Sequence, residues 1–170
     1  YFFRDPERFP IKDENYLVSP ADGVVSQIIE TNGPSELGLE GKKFTRVSIF
    51  MNVFNCHVNR IPCSGKINKI FYKPGKYINA SFDKASEENE RNYIRMKNSK
   101  EDELILVQIA GLIARRIICD VKENEEINQG DRFGIIRFGS RVDLYFENYD
   151  LMIQPKQKTV GGETIIAKKK

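Results

Sequence analysis

The sequence predicts a mainly β protein, α+β in class, folded as a compact β-sandwich or barrel-like domain with few short helices. Three observations predict it. Gly and Pro punctuate short β-rich runs along the whole chain, and no long segment keeps a clean helical period. At 170 residues and 40% hydrophobic content the chain suits one core, so residues 1–170 read as a single domain.

In chain order, Leu17 to Glu30 reads as strand broken by a turn at Pro20 to Gly23, followed by Phe44 to Asn52 and Gly65 to Tyr72. Asn92 to Met96, Leu104 to Ala110, Ile117 to Val121, Phe133 to Phe138 and Val142 to Phe146 continue the pattern, and Glu163 to Ala167 closes it. A brief helix is expected around Phe82 to Glu90, where Asp83, Glu87, Glu88 and Glu90 surround few apolar positions. Thr31 to Lys43, with Gly33, Pro34, Gly38 and Gly41, reads as a surface loop of functional length that is free to move. Lys97 to Glu103 reads as a hairpin turn, Lys122 to Arg132 as a solvated connection and Lys168 to Lys170 as a solvated tail.

Charge and composition exclude several functions. Lys and Arg number 27 against 24 Asp and Glu, a net +3 too small for the polyelectrolyte surface of a nucleic-acid binder. Cys56, Cys63 and Cys119 form no CxxC, and with His57 as the sole histidine they match no zinc spacing. No structural metal is expected, and the cysteines suit a reducing compartment. The chain starts at Tyr1 rather than Met, so it is expected to begin inside a longer product. Tyr1, Phe2, Phe3, Arg4 and Arg8 suit either the aromatic and basic edge where a chain leaves a bilayer or a frayed end packed on the domain.

Three short segments could hold chemistry. Phe138-Gly139-Ser140-Arg141-Val142-Asp143 contains the only Gly-Ser dipeptide, between two strand-like runs. Because Gly reaches backbone angles closed to other residues, the Ser140 hydroxyl can approach the preceding carbonyl, and an N-to-O acyl shift becomes conceivable. Gly-Ser is also an ordinary turn dipeptide. His57, among Asn52, Asn55, Asn59 and Arg60, is the one side chain whose unperturbed pKa lies near neutrality. It reads as a proton-transfer group or as a hydrogen-bonded structural histidine. Asp22, in Ser19-Pro20-Ala21-Asp22-Gly23, is either a turn aspartate or a carboxylate held rigidly to orient or deprotonate a neighbour.

Taken together and in order, Ser19-Pro20-Ala21-Asp22-Gly23, Asn55-Cys56-His57-Val58-Asn59-Arg60-Ile61-Pro62 and Phe138-Gly139-Ser140-Arg141-Val142-Asp143 closely resemble the phosphatidylserine decarboxylase proenzymes, in their short bacterial subgroup. Tyr1-Phe2-Phe3-Arg4-Asp5-Pro6, Glu90-Arg91-Asn92, the segment Gln108 to Ile117 and Gly161-Gly162-Glu163-Thr164 resemble that family too, so the likeness covers nearly the whole chain.

The resemblance implies that the chain cuts itself between Gly139 and Ser140, giving a β chain of residues 1–139 and an α chain of residues 140–170. Ser140 then becomes a pyruvoyl group, and no metal or external cofactor is needed. Its ketone takes the substrate amine and the adjoining carbonyl accepts the electrons released with carbon dioxide, turning phosphatidylserine into phosphatidylethanolamine. By the same resemblance Asp22 serves self-cleavage and His57 returns a proton to the substrate carbon. Longer members carry a second histidine where this chain has Arg60. Arg60 cannot be a base at neutral pH but is a candidate to bind the substrate carboxylate or phosphate, so either Asp22 acts more directly or His57 serves both steps. The implied partners are the lipid substrate, a membrane lipid surface and the two cleaved chains for each other, with nucleic acid excluded and a homo-oligomer left open. The implied location is the cytoplasmic face of the bacterial inner membrane, behind an N-terminal hydrophobic anchor. Two rivals predict an uncleaved chain: a barrel-sandwich phosphocarrier-like module using His57, and a membrane-surface adaptor using the basic ends.

Overall fold

The computed structural model describes residues 5–52, 54, 57–76, 88–111, 117–136 and 139–170. In chain order the strands are β1 (Tyr16–Val18), β2 (Gly23–Asn32), β3 (Lys43–Met51), β4 (Val58–Arg60), β5 (Gly65–Lys73), β6 (Arg91–Asn98) and β7 (Glu103–Ile109). Then follow β8 (Ile117–Cys119), β9 (Glu126–Ile127), β10 (Arg132–Ile136), β11 (Ser140–Phe146), β12 (Tyr149–Leu151), β13 (Lys158–Thr159) and β14 (Ile165–Lys169). Among the described residues they form an eight-stranded sheet in the order β13-β2-β3-β11-β7-β6-β5-β9, with three-stranded sheets β4-β10-β8 and β1-β14-β12. The large sheet curls into a half-barrel, and the protein is mainly β as expected. Register shifts in β2 between Val25 and Gln27, and in β5 between Ile67 and Lys69, supply local bends of the kind that curl a sheet.

Side-chain alternation along β11 sets the two faces. Val142, Leu144 and Phe146 point inward to the main core with Val47, Ile49, Leu104, Leu106 and Phe133. Each such aliphatic or aromatic side chain contributes about 1.5–3 kcal/mol by leaving water. Tyr145 points outward to a second apolar cluster with Leu37, Leu39, Phe44, Tyr93 and Ile105. The Thr31 to Lys43 loop therefore does not hang free. Its 3-10 turn at Ser35–Leu37 inserts Leu37 and Leu39 against the sheet, so the mobility expected of it is corrected by burial of those two leucines. The same outward face of β11 holds Arg141 and Asp143, paired at 3.0 Å and each 1% exposed.

Sequence runs locate the long strands to within a few residues, but four short strands lie outside them. β4, β9, β12 and β13 exist because partners distant in sequence pair with them. β9 falls inside the stretch expected to be a solvated connection. The greater part of the helix expected at Phe82 to Glu90 lies outside the described residues, as do Tyr1 to Arg4 and Cys56. Cys63 is buried, which pushes its thiol up to about 12 and leaves it an inert core residue.

In the C-terminal tail Lys168 and Lys170 are exposed as expected, but Lys169, in β14, is turned in, with Nζ 2.5 Å from Asp102 Oδ2. Burial alone would raise the Asp102 carboxyl. Hydrogen bonds from Lys169 and Asn98 outweigh that and hold it below the usual carboxylate range. A carboxyl lowered by folding stabilises fully above its unfolded value and loses that contribution as pH falls through the folded one. Lys169→Met should therefore lower stability at about pH 7 by on the order of 1 kcal/mol, seen as a lower thermal midpoint, and the gap to wild type should close as pH falls through and below the ordinary aspartate range. A gap that stays constant across that range in calorimetry would show that Asp102 is not the group responsible.

Candidate active site

The Ser19 to Gly23 turn is tied down before any function is considered. Ser19 Oγ donates to the Ala21 carbonyl at 2.8 Å, and Thr159 Oγ1 donates to the same oxygen at 2.9 Å. The Arg60 N–H donates to the Pro20 carbonyl at 2.9 Å, which sets the turn beside β4. At the other end of that strand the Ile136 N–H donates to the His57 carbonyl at 3.2 Å. His57 is 2% exposed and stands beside the end of β10, whose chain leads within four residues to Ser140.

Register places the third segment. Val24, Phe50 and Arg141 form one row across β2, β3 and β11. One residue further Ser140 pairs with Met51, and Gly23 opens β2 just before Val24, so Asp22 and Ser140 come to the same end of β3 on its two sides. The three segments singled out in the sequence meet at one end of the half-barrel.

Ser140 opens β11 with its side chain on the inward face, opposite Met51. It is fully buried, and its Oγ makes no hydrogen bond among the described residues. A buried hydroxyl is ordinarily satisfied, so this one calls for a chemical explanation. Gly139, immediately before it, has φ +59°, in the left-handed region that disfavours any side chain.

A chain of buried amides lies on the same inward face, and sequence reasoning did not assemble it. Asn92 Nδ2 donates to Gln108 Oε1 at 3.0 Å, and Gln108 Nε2 donates to Asn59 Oδ1 at 3.0 Å. Asn59 Nδ2 then faces only the weak sulfur acceptor of Met51, at 3.8 Å. Gln108 stands across from Val142, which makes it the diagonal neighbour of Ser140 at about 7–8 Å. Gly134 makes room for it, since a Cβ there would lie 2.6 Å from Gln108 Nε2. The available signal was Gln108 itself, a polar residue at an inward position of an apolar strand.

The two charged candidates are already engaged. Asp22 Oδ2 pairs with Arg8 at 2.8 Å, while its Oδ1 accepts the Gly161 N–H at 2.6 Å. Arg60 donates to the carbonyls of Gly130 and Pro6 at 3.0 and 2.7 Å and to Asp5 at 3.2 Å. It lines a polar cleft of about 570 Å³ under the N-terminal segment, with Arg8, Lys12, Gln129 and Arg132. The Arg60 guanidinium thus engages the N-terminal segment through Asp5 and Pro6. A phosphocarrier histidine must be reached by a partner protein, and the burial of His57 argues against that rival.

Comparison with known proteins gives the chain its family. The family model for phosphatidylserine decarboxylase matches residues 1–167. A phosphatidylserine decarboxylase proenzyme of Pelagibacter ubique (strain HTCC1062) is 63% identical over 169 residues, covering 99% of this chain and 79% of the relative. Proenzymes of the same name from Rickettsia typhi and Rickettsia prowazekii are 54% identical over 169 residues, covering 98% of this chain and 73% of theirs. With a match of that extent laid over a buried serine behind a left-handed glycine, the chain belongs to the phosphatidylserine decarboxylase family.

Proposed function

We propose that this protein is a self-processing decarboxylase that converts phosphatidylserine to phosphatidylethanolamine and carbon dioxide. The observation that carries the processing step is the buried Ser140 hydroxyl, without a hydrogen bond among the described residues and directly after Gly139 at φ +59°. Ser140 Oγ attacks the Gly139 carbonyl carbon, the peptide C–N bond breaks, and the released amine takes up a proton. An ester now joins Gly139 to the Ser140 side chain. Loss of the Ser140 α-proton expels the Gly139 carboxylate and leaves dehydroalanine, and addition of water with loss of ammonia makes residue 140 a pyruvoyl group.

The surroundings fit such a group: residue 140 sits in a dry position across from Met51, whose weak sulfur acceptor is the partner that Asn59 Nδ2 has among the described residues. A pyruvoyl group supplies an electron sink for the charge left when a carboxylate departs as carbon dioxide. His57, withdrawn from solvent, holds the proton that returns to the substrate carbon. Asp22, at the end of β3 where Ser140 stands, serves the self-cleavage. Arg60 is assigned to the anionic headgroup, because the Asp5 carboxylate already on its guanidinium occupies the place a substrate carboxylate or phosphate would take.

Cleavage would leave two chains that cannot drift apart. β11, from the smaller chain, runs between β3 and β7 of the larger one, and β13 and β14 add ladders to β2 and β1. A lipid surface is the assigned partner of the Asp22 end. Phe9 and Val160 are 76% and 38% exposed there, Phe9 next to Arg8, the ion-pair partner of Asp22, and Val160 next to Gly161, whose N–H reaches Asp22 Oδ1. The site is assigned to the cytoplasmic face of the bacterial inner membrane.

The test is intact mass beside lipid turnover. Purified protein should resolve into chains 1–139 and 140–170, the smaller lacking a free amino terminus and reacting with hydrazines, and should release carbon dioxide from phosphatidylserine. A single chain that stays whole on long incubation and is inert to the lipid would overturn the proposal.

A further inference from the structure

The turn Gly161-Gly162-Glu163 makes three contacts that converge on the N-terminal segment and Asp22. The Gly161 N–H donates to Asp22 Oδ1 at 2.6 Å. Gly162, at φ +83°, has no room for a side chain, since a Cβ there would come within 2.9 Å of Arg60 Cδ and 3.3 Å of Arg8 Cβ. The Glu163 carboxylate accepts the Phe9 N–H at 3.0 Å. Seated against this turn, Arg8 sends Nη2 to Asp22 Oδ2 at 2.8 Å, the two side chains being 13% and 19% exposed. One carboxylate oxygen is thus held by a backbone N–H and the other by a guanidinium.

We propose that Arg8 is a positioning residue for self-cleavage, clamping the Asp22 carboxylate together with the Gly161–Glu163 turn at the end of β3 where Ser140 stands. This role rests on Asp22 acting in that step. A carboxylate held through one oxygen can still swing about its Cβ–Cγ bond; contacts to both oxygens from different directions fix its plane. Such fixing matters because a misplacement of about 1 Å at a reacting group can cost up to about 100-fold in rate.

The parts of the clamp come from opposite sides of the scissile bond. Arg8 and Asp22 belong to residues 1–139 and the glycine turn to residues 140–170. Asp22 is therefore held on both oxygens only after the far end of the chain has folded back across β2. The clamp makes cleavage wait for the fold.

The test follows cleavage of freshly synthesised full-length chains by gel and intact mass. Arg8→Ala should slow cleavage by about 10- to 100-fold. Arg8→Gln, which keeps a stem against Gly162 and drops the charge, should slow it similarly, and it serves if Arg8→Ala does not fold. Arg8→Lys should restore cleavage to within about 3-fold, because the contact uses a single nitrogen rather than a bidentate fork. Asp22→Asn is run in parallel. Normal cleavage of Arg8→Ala and Arg8→Gln beside a blocked Asp22→Asn would overturn the clamp and leave Asp22 its role. Normal cleavage of Asp22→Asn would overturn the role of Asp22 itself. Equal slowing in Arg8→Lys and Arg8→Gln would reduce Arg8 to packing and overturn the charge-based role.

Discussion

Ser140→Ala is expected to yield a folded chain of 19.6 kDa that never divides and shows no decarboxylation at all. The substitution removes one atom, the proposed nucleophile of self-cleavage and the proposed source of the ketone. It should cost little stability. The Ser140 hydroxyl is buried and makes no hydrogen bond among the described residues, so its removal strands no partner and relieves a desolvated polar atom. The thermal midpoint should match or exceed that of a wild-type chain caught before cleavage. Ser48→Ala is the matched control, since Ser48 Oγ is likewise buried without a described partner but belongs to the mid-strand row of Asp143. It should cleave at the wild-type rate. Division of the Ser140→Ala chain between residues 139 and 140 would place the nucleophile elsewhere.

The second large effect is expected at His57. His57→Ala and the better space-filling His57→Gln should lower kcat in the cleaved enzyme by about 10²- to 10⁴-fold, the range for deleting a positioned proton donor. Two variants are needed because His57 is 2% exposed and truncation to Ala leaves a cavity whose cost could spread to the fold. Cleavage of the same variants separates the two routes to self-processing. Division at the normal rate means the histidine is needed only for turnover and Asp22 serves cleavage without it. An undivided but folded chain means His57 acts in both steps, as the arginine at position 60 leaves no second histidine to share them. A cleaved His57→Gln enzyme with unchanged kcat would remove His57 from the chemistry.

The strands that were legible in the sequence are those whose own residues repeat with a strand's period or run apolar from end to end. Phe44 to Asn52 and Leu104 to Ala110 became β3 and β7 with their ends displaced by a residue, because both are central strands whose side chains find a core on any reasonable register. β9 and β13, two residues each, have no such run, and they exist only because β5 and β2 present a free edge to them. Lys169 was misread for the same reason: a lysine near a chain end looks solvated until Asp102 is brought to it from another strand pair.

The candidate site divides along the same line. Ser140, Asp22 and His57 each sit in a local motif, a Gly-Ser pair, a turn and a polar-interrupted apolar stretch, whose chemistry depends on residues next to one another in the chain. Local order therefore determined the mainly β class, the Gly139-Ser140 dipeptide and the identity of the titratable group near neutrality, because backbone freedom and intrinsic proton affinity belong to residues and their immediate neighbours. Only the tertiary structure decided that Asp22 and Ser140 come to the same end of β3, that Gln108 and Asn59 line the serine's face, and that Arg8 closes on Asp22 from 14 residues away. Those pairings are set by sheet register and by which apolar faces must be covered together, and such long-range burial leaves no short-range trace in the order of the amino acids.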